Sequence, residues 1–243
     1  MREVRYRAIA DDLRRQVESG ELGTGHLLPS ESELSGAYEA SRVTVRKALE
    51  LLRDEGLIDS RQGFGWFVAT DPVPQALGRL GTIEDQLQAL GVQSERRITS
   101  FRFVAAAPRV RQVLGVEQVL EVRRINLADG QPFARVTVWC PDDLGSGLSR
   151  RDVEKAPFYE LVGVPIGGAT QTIGAVVADG RDAEQLAVPV GSPMLRCERI
   201  TRDTDDRPVL LSVFLFPAHR TEFVVELTQA EPSIGPSGLR LVE

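Results

Sequence analysis

The chain of 243 residues contains two cysteines, two histidines, two tryptophans and two methionines. Cys140 and Cys197 are far apart, and His26 and His219 farther still, so no Cys/His zinc spacing and no disulfide framework can be drawn. A redox switch needs an exposed low-pKa thiol, and nothing points to one; both cysteines read as small buried strand residues. The longest apolar runs, such as Val209–Pro217, fall well short of the roughly 20 residues of a spanning helix. No basic-then-apolar leader opens the chain. The expected setting is the cytoplasm, with no membrane, no metal and no cofactor.

Positive charge is scarce too. Lys and Arg number 29 against 35 Asp and Glu, a net charge of −6, and the pI is near 5.2. That excludes holding a polyanion by bulk charge but leaves room for a small local basic site. Lysine occurs only at positions 47 and 155, so 27 of the 29 basic residues are arginine. What is present in ordinary measure, 42% hydrophobic and 26% charged residues, describes a globular chain of one large or two small domains.

Residues 1–69 carry the marks of three short helices and a hairpin. Tyr6, Ile9, Ala10, Leu13 and Val17 recur as one apolar stripe, and Gly20 closes the segment. Gly23, Gly25 and Pro29 predict a loop. Ser30 stands three residues before Glu33, a reciprocal helix cap, with Leu34, Ala37 and Tyr38 as the buried side. Ser41 caps a longer helix to about Glu55, stopped by Gly56. Leu57–Ser60 and Trp66–Val68 read as strands around a tip at Arg61–Gly65. Pro72 and Pro74 make Ala69–Pro74 a linker, since they continue neither helix nor central strand.

Beyond the linker, β-branched and aromatic residues concentrate in Arg97–Val104, Glu117–Ala128, Gln131–Cys140, Ala169–Ala178, Met194–Arg202 and Pro208–Pro217. Asp129-Gly130 is a two-residue hairpin turn. Helices are expected at Ile83–Leu90, Pro108–Leu114, Pro157–Val162 and Arg181–Leu186. The expected class is α+β: a helical domain over 1–69, a linker over 70–80, an antiparallel-sheet domain over 81–230 and a loose tail over 231–243.

The segment Ser41-Arg42-Val43-Thr44-Val45-Arg46-Lys47 holds three positive charges and no negative one. On a helical wheel Val45, Ala48, Leu49 and Leu52 form the buried stripe. Arg42, Val43, Arg46 and Lys47 lie outward at the helix start, with Thr44 at the flank. A helix that reads DNA needs this layout, because free amides favour phosphate while long cations reach base edges. Glu50 and Asp54 continue the outward face and repel phosphate, so only the first two turns are expected in the groove. Alone, the segment also fits a solvated amphipathic helix.

It is not alone. Leu28-Pro29-Ser30-Glu31-Ser32-Glu33-Leu34, Ser41 to Leu49, Glu55-Gly56-Leu57-Ile58 and Arg61-Gln62-Gly63-Phe64-Gly65-Trp66-Phe67-Val68 follow in order. Together they resemble the winged helix-turn-helix of the GntR family of bacterial transcription regulators, over residues 4–69. The resemblance implies that Ser41, Arg42, Thr44, Arg46 and Lys47 face the major groove, and that Ser30 and Glu31 start the preceding helix against the backbone. It also implies that Gln62, Gly63, Phe64 and Gly65 form a wing tip for the minor groove. Gly63 and Gly65 equally fit plain turn glycines, and Phe64 equally fits packing on Trp66. Glu39-Ala40 stands where the family often has Gly-Val.

Leu114-Gly115-Val116, Val122-Arg123-Arg124-Ile125, Ala128–Pro132, Pro157–Leu161 and Leu186–Leu195 with Arg199 resemble the UTRA effector-sensing domain of the HutC branch of that family. That domain has a chorismate lyase-like fold, and the likeness runs from about 81 to 227. It implies an effector site where Thr82 caps a helix, the amides of Ile83 and Glu84 meeting an anion beside strand arginines spaced Arg-x-Arg. Here that pair is Arg124-Ile125-Asn126, one cation short. Val136 replaces a common carboxylate, Gly174 a larger polar residue, and Pro217–Thr221 an Asp-Arg-Tyr ending. A lost charge-assisted contact costs about 1.5–3 kcal/mol. The expected ligand is therefore less anionic and more apolar than a sugar phosphate, enclosed in part by Trp139, Phe158 and Tyr159, aromatics that fit a core role equally well.

The resulting expectation is a regulator, of the repressor kind usual in the family, binding an inverted-repeat operator in double-stranded DNA as a homodimer under a small-molecule effector. One short reading helix covers few base pairs, and two-fold symmetry supplies the missing affinity. The alternatives are a constitutive DNA binder with a degenerate pocket and a lyase-like enzyme. The second lacks a nucleophile elbow, a metal spacing and an acid–base constellation. The location that follows is the bacterial cytoplasm, on the nucleoid when DNA-bound.

Overall fold

The structure is a computed structural model that describes residues 2–23, 25–61, 65–69, 72–76 and 81–225. The N-terminal unit comprises helices α1 (Arg2–Glu18), α2 (Glu31–Ala37) and α3 (Arg42–Asp54), then strands β1 (Ile58–Arg61) and β2 (Gly65–Val68). α1 crosses α3, and its Ile9, Ala10 and Leu13 close a core with Leu28, Leu34, Val45, Ala48, Leu49, Leu52 and Ile58. The cap of α2 is reciprocal as expected, Ser30 Oγ accepting the Glu33 amide at 3.2 Å and Glu33 Oε2 accepting the Ser30 amide at 2.7 Å. Its buried side is narrower than expected: Leu34 is buried, but Tyr38 is half-buried against Asp12 and Ala37 is exposed. A helix of seven residues presents little more than one inward position. In the turn before α3, Glu39 has φ 47°, a left-handed conformation that glycine adopts without strain.

The remainder runs β3 (Val73–Ala76), α4 (Ile83–Ala89), β4 (Ser94–Ala105), α5 (Pro108–Leu114), β5 (Gln118–Ala128), β6 (Gln131–Pro141), α6 (Asp142–Gly145), α7 (Arg150–Lys155), α8 (Phe158–Leu161), β7 (Ile166–Val177), α9 (Gly180–Leu186), β8 (Pro193–Asp203), β9 (Pro208–Pro217) and β10 (Thr221–Val224). Six strands form one antiparallel sheet in the order β4-β5-β6-β9-β8-β7. Asp129 and Gly130 both have positive φ, which matches the twist of the β5–β6 hairpin they close. One face of the sheet carries the main core, with Leu87, Val122, Val138, Phe158, Phe214 and Phe216 among its members. α5 packs Val110 and Leu114 on the other face.

The expected linker is partly strand. Val73–Ala76 pairs in parallel with β10, Val73 opposite Thr221 and Pro74 opposite Glu222. Proline is tolerated there because the pair is a separate two-stranded ribbon, all edge and no centre. α6, α7 and β10 also go beyond the sequence expectation. Gln62, Gly63, Phe64 and the 231–243 tail lie outside the described residues.

The two units touch. Phe67 of β2, 2% exposed, packs among Ala178, Leu186, Val188, Met194 and Leu215, with Leu27 beside it. Arg220 is buried between the units. Its Nε donates to the Gly25 carbonyl at 3.1 Å, its Nη2 to the same carbonyl, and its Nη1 to the Pro132 carbonyl at 2.6 Å. Burial pushes the Arg220 guanidinium down to about 10. The His219 ring lies 5.2 Å from the ring of Phe67.

Candidate functional site

The outward start of α3 is the first site. Ser41 caps it, its Oγ accepting the Thr44 amide at 3.2 Å and lying 2.8 Å from Thr44 Oγ1. Burial of Val45, Ala48, Leu49 and Leu52 turns Arg42, Val43, Arg46 and Lys47 to solvent, with Val43 69% exposed. A branched apolar side chain left open between arginines suits the methyl of a thymine. Two of the cations are held in place. Arg42 Nη2 donates to Ser32 Oγ at 3.0 Å. Arg46 grips Glu31 with two parallel bonds, Nε to Oε1 at 2.9 Å and Nη2 to Oε2 at 2.7 Å. Trp66 Nε1 donates to the same Glu31 Oε1 at 3.3 Å, so one carboxylate joins α2, α3 and β2. The hydrogen bond from Arg46 holds the Glu31 carboxyl below the usual range against the opposing effect of burial. Glu31 is therefore a group that aims a cation; an anion there repels phosphate. Ser30, at the N-cap of α2, and Gly65, with φ 100° at the head of β2, lie at the same end of the unit. Gln62, Gly63 and Phe64, which precede Gly65 in sequence, are not among the described residues.

The second site is a cavity of about 300 Å³ on the core face of the sheet. Its walls include Thr82, Ile83, Arg124, Phe158 and Tyr159 of the expected set, together with Gln171, Arg199, Ser212, Phe214, Phe216 and Phe223. Register explains the floor. Gln171 of β7 faces Arg199 of β8, Arg199 faces Ser212 of β9, and Ser212 faces Val138 of β6. Residues directly opposite share a face, so these four form one row.

Arg124 reaches the cavity from β5 and is 7% exposed. Its Nη2 lies 3.9 Å from Glu84 Oε1, and its Nε donates to Asn126 Oδ1 at 3.2 Å. Glu84 also accepts Arg96 Nε at 2.8 Å, and a bond from Asn126 Nδ2. Burial alone would raise the Glu84 carboxyl, but Arg96 and Arg124 bring it down to about 2. Burial takes the Arg124 guanidinium down to about 10 despite Glu84, with Arg96 adding repulsion. Glu84 and Asn126 thus stand behind Arg124 as its supports and are not on the wall. The start of α4 carries a reciprocal cap, Thr82 Oγ1 accepting the Asp85 amide at 2.9 Å and Asp85 Oδ2 accepting the Thr82 amide at 3.3 Å, which does not involve the amides of Ile83 and Glu84.

Trp139 is placed elsewhere. It neighbours Val138, which faces the cavity, and adjacent strand residues point to opposite faces. It packs with the α5 cluster, and its Nε1 donates to Glu121 Oε2 at 3.2 Å. Arg199, by contrast, is on the wall and was not singled out by sequence as a ligand contact. The alternation Cys197, Arg199, Thr201 along β8 carries that signal, since all three line the cavity. Phe223 had no such signal, because β10 is placed by long-range pairing alone. Burial pushes the thiols of Cys140 and Cys197 up to about 12 and 11, so neither is a ready nucleophile.

A three-helix head with an exposed cationic helix start and a β-hairpin wing, docked on a sheet that encloses a cavity, defines a DNA-binding regulator with a sensing domain. The family model for bacterial regulatory proteins of the gntR family matches residues 5–68, and that for the UTRA domain matches residues 89–222. The chain belongs to the GntR family, in the HutC branch that joins this head to a UTRA domain. It is 35% identical over 235 residues to the HTH-type transcriptional regulator Rv0792c of Mycobacterium tuberculosis, covering 93% of this chain and 87% of that one. It is 27% identical over 202 residues to the HTH-type transcriptional repressor NagR of Bacillus subtilis, covering 81% and 83%. The crystal structure of PhnF from Mycobacterium smegmatis matches with a TM-score of 0.61 at 26% identity, over 90% of this chain and 99% of that one. These relatives are transcription regulators and not enzymes. Among the described residues no helix is long and apolar enough to cross a membrane.

Proposed function

We propose that the chain is an effector-controlled repressor that binds an inverted-repeat operator as a homodimer in the cytoplasm, on nucleoid DNA. In this reading residues 1–69 are the DNA-binding domain, 70–80 a connection, 81–230 the effector-binding and dimerisation domain, and 231–243 a tail. Arg42, Thr44, Arg46 and Lys47 contact bases and phosphates, with Ser41 and Ser30 at the capped helix starts, Glu31 aiming Arg46, and Gln62–Gly65 forming the wing tip. Thr82, Ile83, Arg124, Phe158 and Tyr159 contact the effector, with Glu84 and Asn126 supporting Arg124. The observation that carries the reading is the paired placement of Arg42 and Arg46 on the exposed start of α3.

Dimerisation has support in β7. It is an edge strand of 12 residues, and it leaves Ile173, Val176 and Val177 exposed beside an open backbone ladder. Control of the head has support in the β3–β10 ribbon. Phe223 of β10 lines the cavity, Arg220 just before β10 grips Gly25 of the head, and Val73 of β3 pairs with Thr221 beside it. Ligand entry that displaces Phe223 would shift this ribbon and change the separation of the two reading helices. The test is selection of DNA from a random pool, followed by binding of the selected site with and without ligand. The reading predicts two inverted half-sites and an affinity that ligand changes. Recovery of no preferred sequence would refute it.

A further inference from the structure

The cavity holds two arginines in unlike states. Arg124 shares Glu84 with Arg96 and is hydrogen-bonded to Asn126. Arg199 has only neutral company. Its Nε donates to Gln171 Oε1 at 2.8 Å, its Nη1 to the Gly81 carbonyl at 3.4 Å, and its Cζ lies 5.1 Å from the centre of the Phe214 ring. Among the described residues no carboxylate stands within ion-pair reach of it; the ionisable groups that act on it are Cys197 and Tyr159. Nη2 has no protein partner among them, and the hydroxyl-bearing Ser212 is its cross-strand neighbour. Arg199 is half-buried, and a cation partly withdrawn from water without a counter-charge gains when a ligand brings one.

Val138, Phe158, Phe214, Phe216 and Phe223 make up the larger apolar part of the wall. Phe214 and Phe216 stack nearly parallel, at 7°, and Phe223 meets Phe216 edge-on at 5.8 Å. Such a set of ring faces and edges suits a flat apolar body. The volume of about 300 Å³ has room for on the order of ten non-hydrogen atoms at roughly 30 Å³ each, the share of a water molecule. A phosphate dianion finds less. Asn126 stands where a second cation would be, and its Oδ1 accepts from Arg124. Arg124 and Arg199 start three strand spacings apart, about 14 Å at the backbone.

We propose that the effector is a small aromatic monocarboxylate, its carboxylate on Arg199 and Ser212 and its ring among Phe158, Phe214, Phe216 and Phe223. This rests on the reading of the cavity as the effector site and adds the ligand class to it. The full-length protein should be titrated calorimetrically with benzoate, phenylacetate and 2-naphthoate, with the three matching carboxamides, and with glucose 6-phosphate. At least one carboxylate should bind about tenfold to a hundredfold tighter than its amide, the range of a charge-assisted contact. Arg199→Gln should erase that difference in protein whose circular dichroism spectrum and unfolding midpoint show that it is folded. Arg199→Lys should restore part of it, and Arg124→Gln should reduce it less than Arg199→Gln does. Equal binding of acids and amides overturns the ligand class. So does binding of none of the three acids, or a preference for glucose 6-phosphate that depends on Arg124. The effector reading fails separately, if a compound that does bind leaves affinity for the selected operator unchanged.

Discussion

Arginine plays opposite parts in the two halves of the molecule. In the head, Arg42 and Arg46 are exposed at a helix start, each held by one neighbour and open on its far side. In the sensing half, Arg124 and Arg220 are buried, and their partners are a shared carboxylate, an amide or backbone carbonyls. The net charge of −6 therefore predicts little about either half. Desolvation and the nature of the partner decide whether a guanidinium reads DNA, braces a fold or waits for a ligand.

The largest expected effect is on the exposed side. In the proposed reading, Arg46→Ala removes a base-reading group and also leaves Glu31 without its cation beside the DNA. A bidentate base contact contributes on the order of tenfold in discrimination, and a symmetric dimer loses two copies. Operator affinity should fall by about a hundredfold or more in fluorescence anisotropy, while binding to scrambled DNA changes far less. Lys47→Ala should weaken both DNAs alike, as a phosphate contact does. Loss of affinity for both DNAs in equal measure with Arg46→Ala would put Arg46 on phosphate instead.

On stability, the largest effect comes from the buried carboxylate. Glu84→Gln leaves Arg96 and Arg124 uncompensated in the interior, and breaking a buried pair costs about 3–5 kcal/mol. The Glu84 carboxyl sits at about 2 in the fold against an ordinary value of 4.5. Its contribution is thus complete above about pH 4.5 and is lost as pH falls toward 2. Urea unfolding of the native protein should weaken across that window, and the variant should show a flatter acid limb from a lower starting stability. Identical acid limbs would remove Glu84 from this role.

Arg220→Gln should have a smaller effect, confined to the join. The carbonyls of buried Gly25 and half-buried Pro132 lose the Arg220 donor, at roughly 1–3 kcal/mol in total. Amide exchange should rise in residues 25–28 and 65–69, where the head meets the sheet, while β5, β6 and β9 keep their protection. Gly25→Ala should act in the same direction, because its φ is 70° and a Cβ would stand 2.9 Å from Arg220 Nε. Unchanged exchange in both variants would mean that Phe67 alone holds the head.

Much of this layout is legible in the sequence, for physical reasons that also mark where legibility ends. The stripe Val45, Ala48, Leu49, Leu52 and the cap at Ser41 determine which way α3 faces, and both are local. The six sheet strands announce themselves by β-branched composition, and Asp129-Gly130 by its turn chemistry. The β3–β10 ribbon is not legible, since it joins Val73 to Thr221 across most of the chain and contains a proline. The cavity is legible only in part. Phe158 and Tyr159 line it, yet Trp139 faces away, because aromatic character says nothing of which side of a strand it occupies. Alternation does: Val138 and Trp139 must point oppositely, and Cys197, Arg199 and Thr201 must point together. Which of the two faces is the hollow one depends on what packs on it, and that is a property of the whole fold.

The smallest expected effect is the most discriminating, because Glu31 and Glu84 have the same task in different surroundings. Each carboxylate aims an arginine and each is held below its ordinary range, but Arg46 is exposed where Arg124 is buried. A solvent-screened pair contributes little to stability, so Glu31→Gln should leave the unfolding midpoint almost unchanged where Glu84→Gln lowers it clearly. The glutamine still accepts one bond from Arg46, and its loss of charge lowers the repulsion of phosphate. Affinity for non-specific DNA should therefore rise slightly, while affinity for the operator falls a few-fold as Arg46 loses its second hydrogen bond. The ratio of the two affinities is the quantity to measure. A ratio that stays constant would mean that Arg46 finds its base without guidance, and that the pair in the head is incidental rather than the exposed counterpart of the buried one.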